Sequence, residues 1–180
     1  ANPGLQLVLP AANRAFAADR LGCEADWPIG LNAGEKTMVG PFEFTGIPAA
    51  HETLEMNEDG QHHFLGYVVR MGDWQLYHSG DTLRYDGMEE RLTETGAIDL
   101  AILPINGRDA QRFAQDVVGN MTYQEAVDLA GAINPRLTVP THYDMFATNP
   151  GDPQAFVDYA QVKFPDLTVM VCQYGQRVEV

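Results

Sequence analysis

Phe64-Leu65-Gly66-Tyr67-Val68-Val69-Arg70-Met71-Gly72-Asp73-Trp74-Gln75-Leu76-Tyr77-His78-Ser79-Gly80-Asp81-Thr82 is the stretch on which the fold is decided. Residues 64–70 and 74–78 are rich in aromatic and β-branched side chains. Met71-Gly72-Asp73 between them has turn chemistry, so the stretch reads as a β-hairpin. Gly80 lets the backbone bend sharply after the second strand, which aims the Asp81 carboxylate off the strand end. Two more apolar runs end in the same way. Phe42 to Ala50 leads to His51, and Leu137-Thr138-Val139-Pro140-Thr141 leads to His142. Three strand ends thus each deliver a group that can hold a metal or face a reacting group.

Working outward, Leu5 to Leu9 reads as a strand and alanine-rich Ala11 to Leu21 as a helix stopped by Gly22. Residues 27–35 are turn-rich. Thr37 to Val39 and Phe42 to Ile47 read as strands joined at Gly40-Pro41. A charged helix is expected over 86–95, ending at Gly96. Ile98 to Pro104 is a short apolar run, as an interior strand requires. Residues 105–121 read as a long loop. Thr122-Tyr123-Gln124-Glu125 is a capping box that opens a helix to about Ile133. Residues 137–139 form a strand. Asp152-Pro153 opens a helix to about Lys163, and strands are expected over 167–172 and 177–180. Strands dominate the first half and strand–helix alternation the second, so the fold class is α/β, one domain over 1–180 with helices packed on sheets.

The chain has 180 residues, 45% of them hydrophobic, and can bury a real core. Its net charge of −14 argues against binding nucleic acid or anionic membranes, since both need a basic face. A small-molecule substrate remains, and an anionic one is compatible if a local cluster such as Arg108 and Arg112 holds it. Cys23 and Cys172 make neither a C-x-x-C motif nor a disulfide framework, and both are expected to be unpaired, Cys172 within a buried strand. A cytoplasmic setting is expected. No apolar run approaches the ~20 residues of a membrane span, and no signal peptide opens the sequence.

Each singled-out residue has a plain reading beside the chemical one. Asp81 is a metal ligand or the acceptor of an Asx turn. His142 is a ligand or a loop histidine bonded to backbone. Asp144 orients an imidazole or caps the loop. His51 has small alanines before it that leave room beside the ring. His62 and His63 point to opposite faces of a strand start and are read as surface residues. His78 supports Asp81 or packs. Ser79 lies in H-S-G-D rather than G-x-S-x-G and is not read as a nucleophile. Asn106 and Arg108 follow the buried strand where substrate-facing loops sit. Arg108 can fork onto a phosphate or carboxylate, or pair with Asp109 or Asp116.

The pieces Leu31-Asn32-Ala33-Gly34-Glu35, Tyr77-His78-Ser79-Gly80-Asp81-Thr82, Thr122-Tyr123-Gln124-Glu125-Ala126 and Val139-Pro140-Thr141-His142-Tyr143-Asp144 resemble the metallo-β-lactamase superfamily. Within it they are most similar to the L-ascorbate-6-phosphate lactonase-like metal-dependent hydrolases. The resemblance covers Val39 to Val180, and residues 1–38 fit the strand, helix and turn before it. It implies an αββα sandwich with metals, zinc or manganese, at one edge. His51 would complete one metal site, His142 the other, and Asp81 would bridge them. Asp81 and His142 are then the catalytic pair, in hydrolysis of a lactone or ester by metal-activated water.

The H-x-H-x-D-H motif of that superfamily is absent from these residues. The expectation is therefore a sandwich incomplete on its N-terminal side, a partial metal site and a chain corresponding to the C-terminal part of the fold. Exposed apolar strands would follow, and with them homo-oligomerisation or pairing with another chain. The competing reading is a non-catalytic fragment or assembly module that keeps the half-fold. A phosphodiesterase is a third reading, and the charge of −14 disfavours a nucleic-acid substrate for it.

Overall fold

A computed structural model describes residues 4–180. In chain order the elements are β1 (Val8–Pro10), a 3-10 turn (Ala11–Asn13), α1 (Arg14–Leu21), β2 (Ile29–Leu31), β3 (Lys36–Val39), β4 (Phe42–Pro48), β5 (Leu65–Met71) and β6 (Trp74–His78). There follow α2 (Met88–Glu94), β7 (Leu100–Pro104), α3 (Ala110–Phe113), α4 (Tyr123–Ile133), β8 (Leu137–Thr141) and α5 (Pro153–Lys163). One sheet has the order β3-β4-β5-β6-β7-β8, and β1 pairs with β2 separately. The hairpin neighbours β3 to β6 are antiparallel, while β6, β7 and β8 are parallel. Parallel neighbours need long crossovers, and α2 and α4 lie in the two crossovers here.

The two faces of the large sheet differ. One is sealed: Ile47, Val68, Tyr77, Ala101 and Leu103 pack with Met88 and Leu92 of α2, Leu129 of α4 and Phe156 of α5. Gly131 of α4 brings that helix against α5, since a Cβ there would lie 2.4 Å from the Phe164 ring. On the other face the register aligns Phe44, Val69, Leu76 and Leu100 in one row and Tyr67, His78, Ile102 and Val139 in the next. The apolar side chains among these are only half-buried, and His78 is exposed. No Asp, Glu, Lys or Arg points to this face from the six strands, whereas Lys36, Glu43 and Arg70 sit in the alternate rows. A sheet with one solvated face shows polar residues at every second position, and this one does not.

Helix signals in the sequence map well. Thr122 and Glu125 form the reciprocal capping box of α4, Asp152 caps α5, and Gly22 ends α1 at φ +64°. The differences lie where elements are short or paired at long range. The turn-rich 27–35 segment contains β2, three residues held by parallel pairing to β1. The first strand is Val8–Pro10 rather than 5–9, and the helix expected over 86–95 is confined to Met88–Glu94. The 105–121 loop contains α3, capped by Asp109. The strands expected over 167–172 and 177–180 are not formed; one bridge, Thr138 to Val169, marks where the chain passes the β8 edge. Cys172 is accordingly half-buried outside any strand, and both cysteines are free thiols. Among the described residues no helix is long and apolar enough to cross a membrane.

Candidate functional site

β4, β6 and β8 all run in one direction, so their C-terminal ends share one sheet edge. His51, Asp81 and His142 follow those ends. Asp81 Oδ2 lies 3.4 Å from His142 Nε2 and 3.8 Å from His51 Nε2. The structure thus brings the three sequence-predicted ligands together, with the carboxylate between two imidazoles. His142 adopts φ +57°, a strained conformation for a non-glycine residue that holds its ring toward Asp81. Its side chain is 12% exposed, and its buried Nδ1 has no hydrogen-bond partner. His51 stacks on Phe64 with ring centroids 5.0 Å apart.

The loops are tied to one another by backbone and buried hydroxyl groups. Thr82 Oγ1 accepts from the Ala50 amide at 2.9 Å, and the Leu83 amide donates to the Ala50 carbonyl at 2.8 Å. The Tyr85 hydroxyl donates to the Pro48 carbonyl. The Ile105 amide donates to Thr141, which joins the β7 end to the β8 end. Gly80 has φ +64°, and a Cβ there would lie 3.2 Å from the Leu65 carbonyl, so the turn before Asp81 is both left-handed and close-packed.

The neighbouring candidates resolve individually. The buried Ser79 hydroxyl donates to the Gly80 carbonyl. His78 Nδ1 accepts from the Gly80 amide and so supports the Asp81 turn. His63 is half-buried rather than a plain surface residue; its ring contacts Asn13 and its carbonyl accepts from the Asn13 side chain. Asp144 is exposed. Arg108 forks onto Glu125 at 2.6 and 2.7 Å, not onto Asp109 or Asp116, and Asp109 is taken by Arg112. Asn106 is buried: its Oδ1 accepts from Asn120 at 3.0 Å, and its Nδ2 has no partner.

Three recesses open around this edge. One of about 350 Å³ is lined by His51 and Asp81 together with His63, Phe64 and Tyr67. Burial pushes the Tyr67 hydroxyl up to about 12, so it stays protonated at neutral pH. A second, of about 430 Å³, includes Asn106, Arg108 and Arg112. A third, of about 330 Å³, lies between Glu52-Thr53, Leu83 and the segment 108–119. Sequence reasoning missed the third, because its walls come from three separate loops.

A family model described as a beta-lactamase superfamily domain matches residues 2–143. The chain belongs to the β-lactamase superfamily. Within that superfamily it is similar to a UPF0173 metal-dependent hydrolase of Pyrococcus horikoshii, 32% identical over 131 residues, which are 71% of this chain and 52% of that protein. It is also similar to one of Rubrobacter xylanophilus, 32% identical over 162 residues, 87% of this chain and 62% of that protein. The chain thus spans between half and two thirds of the length of these curated relatives. A solved metallo hydrolase from Ignicoccus hospitalis superposes with a TM-score of 0.72 at 22% identity, covering 97% of this chain and 68% of that one. The metallo-beta-lactamase fold protein YhfI from Bacillus subtilis gives 0.67 at 17% identity, covering 94% and 62%. The α/β fold of this chain is therefore the one these proteins share.

The relatives are called metal-dependent hydrolases, and the donors here fit a metal ion in kind. Two imidazoles and a carboxylate suit zinc, and ligand atoms on a tetrahedral ion with ~2.1 Å bonds lie about 3.4 Å apart. The Asp81–His142 separation of 3.4 Å matches that spacing, and His51 stands somewhat further out. The donor count does not fit a whole site. Among the described residues no group of three or more His, Cys, Asp or Glu is arranged to hold a metal ion.

Proposed function

We propose that this chain supplies one side of a metal-dependent hydrolase site that acts on a lactone or ester. The observation that carries the reading is Asp81, whose Oδ2 faces both His51 Nε2 and His142 Nε2 at one sheet edge. His51, Asp81 and His142 would hold the ion, zinc or manganese, and further ligands would come from outside these three residues. A bound divalent ion supplies a polarised carbonyl oxygen and a water acidified toward neutrality. The chain's own residues orient and exclude. The left-handed turns at Gly80 and His142 aim the ligands, and Thr82 locks the loops of His51 and Asp81 together. Asn106, with an unpartnered amide beside the 430 Å³ recess, is the proposed polar contact to substrate. Arg108 is proposed to act there as a wall held by Glu125, with its charge already matched.

Metal content after purification, by elemental analysis, and calorimetric titration with Zn²⁺ and Mn²⁺ test the reading. Wild type is expected to bind an ion, and His142→Ala to bind at least ~10-fold more weakly, in line with the loss of part of a coordination shell. Equal metal binding by wild type and His142→Ala, or none by either, would remove these residues from the site.

A further inference from the structure

The third recess has a different chemistry from the metal edge it adjoins. Its walls are Leu83, Phe113, Val117 and Val118, with Thr53 beside them. Two of its contributors are chain neighbours of the proposed ligands: Glu52 follows His51, and Leu83 lies two residues after Asp81. The Leu83 amide bonds the Ala50 carbonyl, so this wall moves with the His51 loop. At about 330 Å³ the recess has the size of a small-ligand pocket, commonly ~300–1,000 Å³.

The opposite wall is built rigidly. Residues 107–121 close into a loop whose neck is the Gly107 amide on the Met121 carbonyl and the Asn120 amide on the Gly107 carbonyl. Gly119 lets the two sides of the neck touch, since a Cβ there would fall 2.0 Å from the Gly107 carbonyl. Inside, Arg112 bonds the Asn106 carbonyl and the Asn149 side chain at 2.7 and 2.6 Å. This fixed loop leaves Phe113 71% exposed. Among the described residues that line the recess the one cation is Arg108, which is neutralised by Glu125; Asp109 is matched by Arg112, and Glu52 brings acidic charge. Among the described lining residues no cationic side chain is left unpaired for an anionic group, whereas an uncharged apolar group would cover Leu83, Phe113, Val117 and Val118.

We infer that this recess binds an alkyl or aryl substituent of the substrate, so that the substrate class is an apolar lactone or ester rather than a sugar phosphate. The inference rests on the hydrolase reading for where the carbonyl sits, but not for the recess itself. Burial of each methylene is worth about fourfold in affinity, hence roughly fifteenfold for two carbons.

The test uses γ-butyrolactone, γ-hexalactone, γ-octalactone and γ-decalactone added to the ¹⁵N-labelled chain, with amide shifts followed by NMR. The expected result is Kd falling by about fifteenfold per two-carbon step, with shifts centred on Leu83, Phe113, Val117 and Val118. Val118→Asp should abolish the dependence on tail length, and Phe113→Ala, at a side chain that does not carry the fold, should weaken it. Binding independent of tail length, or shifts centred elsewhere, would overturn the inference. Zn²⁺ binding by wild type and His142→Ala is read separately on the same chain. Metal binding that is lost in His142→Ala, without tail-dependent lactone binding, sinks the recess alone, and tail-dependent binding with no metal bound by wild type sinks the hydrolase reading alone.

Discussion

Replacing Thr82 by Val keeps the shape of the side chain and removes only its hydroxyl. Thr82 is fully buried, one residue after Asp81. Its Oγ1 accepts from the Ala50 amide at 2.9 Å and donates to the Leu83 carbonyl at 2.7 Å. In Thr82→Val the Ala50 amide is left buried without a partner, which costs about 1–3 kcal/mol. The Leu83 carbonyl loses one bond, worth about 1 kcal/mol. The sum is about 2–4 kcal/mol, or a drop in Tm of roughly 5–15 °C for a domain of this size. Thr82→Ser keeps both bonds and gives up one methyl, for about 1 kcal/mol. Thermal and urea unfolding should therefore rank wild type above Ser and Ser well above Val. The same hydroxyl joins the loop of His51 to the loop of Asp81, so Zn²⁺ affinity should fall in the Val variant more than in the Ser variant. Val at least as stable as Ser would refute the claim that a buried hydrogen bond, rather than packing, holds the site's loops together.

The Glu125 carboxyl is held below its ordinary 4.5, first by the Arg108 guanidinium and then, against the cost of burial, by the Thr122 amide. The unfolded chain takes up this proton at higher pH than the folded one, so the stabilisation is complete above about 4.5 and is lost as pH falls through the lower folded value. Urea midpoints of wild type should drop on acidification across that window, and Glu125→Gln should show a smaller drop; identical pH profiles would count against the fork. The uncharged sheet face predicts association with a second copy. The chain exposes 10,452 Å², against ~8,600 Å² for a compact monomer of 19.8 kDa. That excess is of the size one partner buries in a large interface, roughly 1,000–2,500 Å². Sedimentation equilibrium should give a multiple of 19.8 kDa that strengthens with salt, because copies of charge −14 repel. Val69→Lys with Ile102→Lys should yield monomers; a wild-type monomer at every concentration would rule the interface out.

The residues whose positions were legible in the sequence are those governed by short-range rules. Thr122 with Glu125, and Asp152 with Pro153, announce helix starts within four residues, and α4 and α5 begin there. β2 was not legible, because three residues carry no period and only pairing with β1 makes them a strand. Nor was the end of the chain, where 167–180 has strand-like composition but meets β8 at a single bridge. Arg108 lies closer in sequence to Asp109 and Asp116, yet the fold places it on Glu125, 17 residues away. Proximity along the chain therefore misassigns a charge partner that a helix start supplies.

The site itself was legible for a topological reason. β4 and β6 are both antiparallel to β5, so they share a direction. β7 and β8 are parallel to β6, so β8 shares it too. The residues that follow β4, β6 and β8 must then gather at one edge, with the β6 residue in the middle. Strands two positions apart are separated by about 9.5 Å, on either side of Asp81. A side chain has to span most of that gap from each flank. An imidazole reaches furthest with Nε2, and Nε2 is the atom that both His51 and His142 turn toward Asp81. What no local rule reveals is how closely the loops converge. That depends on Thr82, on the left-handed turn at Gly80 and on the strained backbone of His142, which together bring His142 to 3.4 Å from the carboxylate while His51 remains at 3.8 Å.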